Sequence, residues 1–203
     1  MNQETKKFLE ILVEDIHSTI VATIDKEGHP ITRVIDMMLW DEKGLYFLTA
    51  KGKEFYEQLM EQKYISLSSI KDKRSISLRG KIVNIGKEKL DEIFEKNTYM
   101  QGIYPEDTRD ALDVFCLCEA KGEFFDISNP SNVTRGSIVI GDIEVEEHGY
   151  FVGEGCIGCE ECFAVCPQKC IDVSKIPAVI DQEHCLHCGR CEEACPEKVI
   201  KKM

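Results

Sequence analysis

Cys156-Ile-Gly-Cys159-Glu-Glu-Cys162-Phe-Ala-Val-Cys166-Pro167 returns, after a spacer, as Cys185-Leu-His-Cys188-Gly-Arg-Cys191-Glu-Glu-Ala-Cys195-Pro196. Each half is a C-x2-C-x2-C-x3-C-P run, the spacing that holds iron–sulfur clusters. Thiolates are soft ligands and suit iron in a tetrahedral sulfur field. The short spacings let one tight loop place three sulfurs around one cube. The Cys-Pro turn sends the fourth cysteine away from its own loop. The expected ligation is therefore crossed. Cluster A takes Cys156, Cys159, Cys162 and Cys195; cluster B takes Cys185, Cys188, Cys191 and Cys166. Neither cube is complete without the other half, so the two halves form one folding unit. The segment is too short to bury a large core, and ligand bonds supply much of its stability.

Residues from about 150 to 203 resemble the bacterial two-[4Fe–4S] ferredoxins, in both repeats and in the spacer. Structural zinc uses fewer, wider-spaced cysteines or Cys/His mixtures. A disulfide framework needs an oxidising compartment. Cys170, a ninth cysteine just after the first Cys-Pro, reads as a buried small residue in the turn. His184 and His187 flank Cys185 and read as surface loop positions.

The chain has 203 residues, which allows one ordinary domain and a small one. Formal net charge is -12. Residues 149–203 hold 6 basic and 9 acidic side chains, leaving 19 and 28 in 1–148. No basic stripe exists, which argues against a nucleic-acid partner. No apolar run approaches the length of a membrane span, and Met1-Asn-Gln-Glu-Thr-Lys-Lys is no signal peptide. The expectation is a reducing cytoplasm and no membrane partner.

Residues 3–15 have the apolar spacing of an amphipathic helix. Strand signals follow: 18–25, 30–40 and 45–49, joined by turns at Lys26-Glu-Gly28-His and Asp41-Glu-Lys-Gly44. A helix is expected over 53–62, strands over 64–70 and 75–85, and a helix over 87–96. Thr108 is expected to cap a short helix through Leu112. Residues 114–127 read as one strand bent at Gly122, with short strands at 137–140 and 143–145. The polar stretch Glu144-Val-Glu-Glu-His-Gly149 places the boundary between domains 1–148 and 149–203. Hairpins dominate, so the fold class is mainly β with helices: a small antiparallel barrel, followed by a small α+β iron–sulfur domain.

From His17 to Ile85 the chain resembles the pyridoxamine 5'-phosphate oxidase-like FMN-binding split barrels. The resembling pieces are Ser18-Thr-Ile-Val-Ala-Thr, Gly-His-Pro-Ile-Thr-Arg33-Val, Gly44-Leu-Tyr-Phe-Leu-Thr49-Ala-Lys51-Gly-Lys53 and Leu78-Arg-Gly80-Lys. The resemblance implies a homodimer with FMN at the subunit interface. It implies Arg33, Lys51 and Lys53 at the phosphate, the Val34 and Ile35 backbone against the flavin, and Thr49 near the ribityl chain or ring. A phosphate dianion favours a helix N-terminus with adjacent cations. The oxidases' later Arg-x-His pattern is missing, since Arg135 is followed by Gly-Ser-Ile, so oxidation of pyridoxamine phosphate is not expected. Cys116 and Cys118 share one face of a strand and read as packing. Trp40 reads as a barrel residue; His17, His29 and His148 read as surface positions.

Together these features imply an oxidoreductase that relays electrons between two [4Fe–4S] clusters and FMN and reduces a small organic substrate. Its external partner would be a redox protein or a small-molecule donor or acceptor. The alternative is a ferredoxin-like electron carrier or redox sensor whose barrel is a dimerisation module, or binds haem or a deazaflavin.

Overall fold

A computed structural model describes residues 1–144 and 148–203. Asn2 opens the first helix: its side chain accepts a hydrogen bond from the Thr5 N–H at 2.7 Å, satisfying one N-terminal donor. Helix α1 (Gln3–Glu10) buries Phe8 and Leu9 and passes into a π-helical turn, Ile11–Ile16. Strands β1 (Ser18–Ile24) and β2 (Pro30–Asp36) pair antiparallel. Between them the Asp25 carboxylate accepts from the N–H groups of Glu27 and His29, and Gly28 has a φ of 86°, a value that glycine adopts without strain.

The stretch 30–40 is not one strand. Met37 and Met38 are both buried, which strict alternation forbids. Their N–H groups donate to the carbonyls of His17 and Tyr46, at 2.8 and 2.9 Å. Strand β3 (Leu39–Asp41) then turns into β4 (Gly44–Ala50). Helix α2 (Glu54–Gln62) leads to the hairpin of β5 (Tyr64–Lys71) and β6 (Arg74–Gly86). Its two-residue loop, Asp72-Lys73, has φ of 51° and 65°, the primed turn that matches strand twist.

Helices α3 (Leu90–Lys96) and α4 (Met100–Ile103) follow. Thr108 caps no helix. It lies inside a 3-10 turn, Glu106–Ala111, and its hydroxyl donates to the Pro105 carbonyl at 2.7 Å. Strand β7 (Leu112–Asp126) runs unbroken through Gly122, and β8 (Thr134–Ile140) pairs with it. Ile143 and Glu144 are not in a strand. The rest of the 143–145 candidate, and residues 145–147 of the expected boundary turn, lie outside the described residues.

The strand order is β2-β1-β5-β6-β7-β4-β3, with β8 beside β7. This is the split β-barrel. Strand β4 is buried on both faces, and its two faces enter different cores. Leu45 and Phe47 join Phe115, Leu117 and α1; Tyr46 and Leu48 join Val114, Cys116 and the apolar face of α3. Gly122 lets β7 cross β6 closely: a Cβ there would collide with the Ser77 carbonyl oxygen.

The described chain divides into two units. One is Met1–Phe124 with Ser137–Glu144. The other is Phe125–Gly136 with the described part of Val145–Met203. The expected 148/149 boundary lies near the point where the second unit resumes. The inclusion of 125–136 in that unit has no signal in its own sequence.

The second unit contains β9 (Tyr150–Val152), α5 (Glu161–Val165), β10 (Ile171–Asp172), β11 (Val179–Ile180), α6 (Arg190–Ala194) and β12 (Ile200–Lys202). Strand β9 pairs with β12 and β10 with β11, both antiparallel. Tyr150, Ile171, Ala178, Ile180 and Ile200 fill its small core between the cysteines.

Candidate functional site

The cysteine loops repeat in backbone as well as in sequence. Gly158 and His187 have φ of 70° and 54°; Glu160 and Gly189 have 63° and 79°; Lys169 and Lys198 have 53° and 55°. Left-handed residues at these matched positions curl each loop so that N–H groups turn inward, a concavity suited to anionic sulfur. The His187 N–H donates to Cys185 Sγ at 3.3 Å. Lysine 169 closes the end of α5, its ammonium donating to the carbonyls of Phe163 and Ala164.

Two recesses result. One is lined by Cys156, Cys159, Cys162 and Cys195. The other is lined by Cys166, Cys185, Cys188 and Cys191. Each draws three cysteines from one repeat and one from the other. The donor set is all thiol, with apolar neighbours such as Val152 and Ala178 around the first recess and Ile171 and Ile180 around the second. That chemistry fits iron–sulfur cubes and fits hard, oxygen-seeking cations badly.

Cys170 is more than a buried turn residue. It lines the second recess, and its Sγ is 3.7 Å from Cys166 Sγ. Its counterpart in the other repeat is Val199, which lines the first recess. His184 is not a free surface residue: Nδ1 donates to the Val133 carbonyl at 2.6 Å. Comparing Cys-Pro-Gln-Lys-Cys170 with Cys-Pro-Glu-Lys-Val199 could have singled out Cys170; nothing local announces the His184 bond.

In the barrel unit Arg33 is partly buried. Its two terminal nitrogens donate to Thr23 Oγ1 at 2.7 Å and to Gln58 Oε1 at 2.9 Å. The guanidinium lies 4.4 Å from the centre of the Phe55 ring. Burial lowers its pKa, while the nearby Glu54 carboxylate opposes the shift. A guanidinium carries five N–H donors, so donors remain for an anion. Lys51 lies 3.3 Å from Asp113 Oδ1, and Asp113 also accepts from Tyr56 and Asn84. Burial works to raise the Asp113 pKa, but the hydrogen bonds from Tyr56, Asn84 and Lys51 hold it below the usual carboxylate value. Lys53 is exposed and is the N-cap residue of α2, which has no side-chain cap. Arg33, Lys51 and Lys53 thus converge on the first turns of α2, directly or through Phe55 and Tyr56.

Thr49 Oγ1 is buried with no hydrogen-bond partner among the described residues, a state rare enough to call for a ligand or water. Among the described residues strand β2 ends the strand path and pairs with β1 alone, so there part of the backbone around Val34 and Ile35 has no ladder partner. An orphaned hydroxyl, an open strand edge and a cation at an uncapped helix start fit a flavin phosphate. Thr23, Gln58 and Asp113 were invisible as parts of this site, because partners distant in sequence leave no periodic signal.

Of the remaining singled-out residues, His17 is no isolated surface group. Its Nε2 lies 2.9 Å from Tyr99 Oη, which donates to Asp36 at 2.8 Å. Trp40 packs against the barrel core. Cys116 is buried, and burial pushes its thiol pKa up to about 12; Cys118 packs beside it.

Residues 1–117 match the family described as pyridoxamine 5'-phosphate oxidase, and residues 155–199 match a 4Fe-4S dicluster domain. A pyridoxine/pyridoxamine 5'-phosphate oxidase of Bacteroides thetaiotaomicron is 31% identical over 94 residues, or 45% of this chain and 44% of that protein. The chain thus spans less than half of that relative's length. Among solved structures, a nimC/nimA family protein of Clostridium acetobutylicum superposes with a TM-score of 0.55 at 19% identity, covering 67% of this chain and 94% of that one. PhzG from Burkholderia lata, solved with tetrahydrophenazine-1-carboxylic acid, gives a TM-score of 0.51 at 16% identity, covering 68% and 90%. At these identities the likeness is one of fold. The match over residues 1–117, more than half of the chain, is of a different order, and it places this protein in the pyridoxamine 5'-phosphate oxidase family, here continued by a 4Fe-4S dicluster domain.

Proposed function

We propose that the chain is an oxidoreductase that relays electrons between two [4Fe–4S] clusters and FMN and reduces a small organic substrate. The observation that carries the reading is the partition of the eight motif cysteines into two recesses of four, each crossing between the repeats. Bound clusters supply single electrons, and bound flavin supplies a centre that accepts one or two. The chain's own residues do the rest. Cys156, Cys159, Cys162 and Cys195 hold one cube; Cys166, Cys185, Cys188 and Cys191 hold the other. Arg33 and Lys53 hold the phosphate, with Lys51 exchanging Asp113 for it. Thr49 satisfies its hydroxyl on the flavin, and the Val34–Ile35 backbone lies along the ring.

A homodimer accompanies this reading. Ile20 and Val34 face each other across β1 and β2, and are 52% and 67% exposed. Ile24 on the same face is also exposed. Such adjacent apolar side chains suit a second copy of the same surface. Sedimentation should give a dimer with two flavins and four clusters; a monomer that holds flavin tightly would overturn the shared site. The reducing cytoplasm suits the thiolates, and a redox protein or small molecule supplies or takes the electrons. One observation favours the rival reading, an electron carrier with the barrel as dimerisation module: Glu54 stands beside Arg33 and Asp113 already neutralises Lys51.

Anaerobic purification with iron, sulfide and flavin quantitation separates the two readings. Losing one cation from a phosphate pocket removes a charge-assisted hydrogen bond of about 1.5–3 kcal/mol. Arg33→Ala or Lys53→Ala should therefore weaken FMN binding by roughly tenfold to a hundredfold, with iron content unchanged. Lys53 is exposed, so that variant leaves the fold intact. Substrate reduction at full rate by flavin-free protein would sink the proposal.

A further inference from the structure

The segment 125–136 comprises the end of β7, the connection to β8 and the start of β8, and it belongs to the iron–sulfur unit. Four of its bonds there fall on one cluster site. The Gln168 side chain donates to the Pro130 carbonyl at 2.9 Å and accepts from the Val133 N–H at 3.2 Å. Nδ1 of His184 donates to the Val133 carbonyl, and the Arg135 N–H donates to the Glu183 carbonyl at 2.7 Å. Val133 itself is 3% exposed. Gln168 lies two residues after Cys166; Glu183 and His184 immediately precede Cys185. These two cysteines come from opposite repeats and line the same recess. The segment therefore ties together the two pieces of chain that must meet to complete cluster B. None of the residues lining the cluster A recess comes from it.

The segment also brings a charge. Arg135 stacks on Phe125, guanidinium carbon to ring centre 4.6 Å. Its backbone bond to Glu183 anchors this cation two residues before Cys185, at the loop that holds cluster B. Each recess also has an exposed lining cation of its own, Arg190 at cluster B and Lys175 at cluster A, the latter 3.4 Å from Asp172; among the described residues Arg135 has no counterpart at cluster A.

We infer that residues 130–135 are a positioning element for cluster B, clamping the Cys166 turn to the Cys185 loop and, through Arg135, holding that cluster at a higher reduction potential than it would otherwise have. A reduced cluster carries one more negative charge than an oxidised one, so a fixed cation beside it favours reduction. The inference rests on the two-cluster reading and deepens it: cluster B becomes the preferred resting place of the first electron.

The test uses the full chain, with the two clusters followed by EPR-monitored redox titration. Cys195→Ala, in which cluster A lacks a ligand, identifies the cluster B signal. Arg135→Gln should shift cluster B to more negative potential, by about a tenfold change in the reduced-to-oxidised ratio, or about 59 mV for one electron. Cluster A should not move, and Arg135→Lys should restore most of the shift. Gln168→Ala should speed loss of cluster B iron to a chelator by about tenfold, leaving cluster A iron at its wild-type rate. Equal shifts of both clusters in Arg135→Gln, or no shift, would overturn the inference while leaving the two-cluster reading intact. A wild-type chain holding only about four irons would overturn that reading, and the inference with it.

Discussion

Cys195→Ala should empty the cluster site built on the Cys156 loop, although Cys195 lies in the other repeat. The recess that contains Cys156, Cys159 and Cys162 is completed by Cys195 and by no other cysteine. With three thiols the cube has an open iron, and iron content should fall from about eight to about four per chain. The cluster on the Cys185 loop should persist, since Cys166 completes it. Cys166→Ala should produce the converse loss. That recess, unlike the first, contains one further thiol, Cys170, so Cys166→Ala with Cys170→Ala gives the cleaner comparison. Iron quantitation and Mössbauer or EPR spectra distinguish the outcomes. Loss of the Cys185-loop cluster in Cys195→Ala, with the other intact, would show that each repeat ligates its own cube.

Phe47→Ala should be the most damaging single change in the barrel. Phe47 is fully buried at the centre of β4 and stacks on Phe115 and Phe55, with ring centres 5.7 and 6.2 Å away. Truncating such a ring removes its transfer energy and leaves a cavity, at a cost of about 3–5 kcal/mol. Whole domains are stable by only about 5–15 kcal/mol. Trp40, the single tryptophan, packs against the same core and reports barrel unfolding by fluorescence. The denaturant midpoint should drop sharply with little change in slope. Phe55 carries the Arg33 guanidinium, so flavin affinity should fall in step with stability. Phe47→Leu, which fills most of the space, should recover much of both. A loss below about 1 kcal/mol would mean that the surrounding side chains close over the gap.

The sequence made some of this legible and concealed the rest for identifiable reasons. Strands β5 and β6 alternate buried and exposed residues almost without exception, and such period-two patterns are easily read. Strand β4 shows no alternation because both of its faces are covered. Turn residues located it instead. The break at Met37-Met38 could not be seen, because its cause is a pair of hydrogen bonds to His17 and Tyr46. The cysteine sites were legible because spacing alone encodes them. Around Arg33 the sequence singled out Lys51, Lys53, Thr49 and the Val34–Ile35 backbone, and none of the buried partners of the cations. Thr23, Gln58 and Asp113 come from three other elements, and their polar side chains are buried, where sequence pattern expects solvent.

The chain crosses from one unit to the other three times, after Phe124, after Gly136 and after Glu144. A gene fusion that appends a tail makes one junction. Recombination at that junction would move the eight motif cysteines to a new host and leave behind Pro130, Val133 and Arg135, which bind Gln168, His184 and Glu183. Assembly of the iron–sulfur unit therefore needs coordinated change at two separated places in the gene, the β7–β8 connection and the stretch that encodes the cysteine motifs. Grafting residues 149–203 onto another split barrel transfers the ligands without the segment that holds the ligand-bearing turns together.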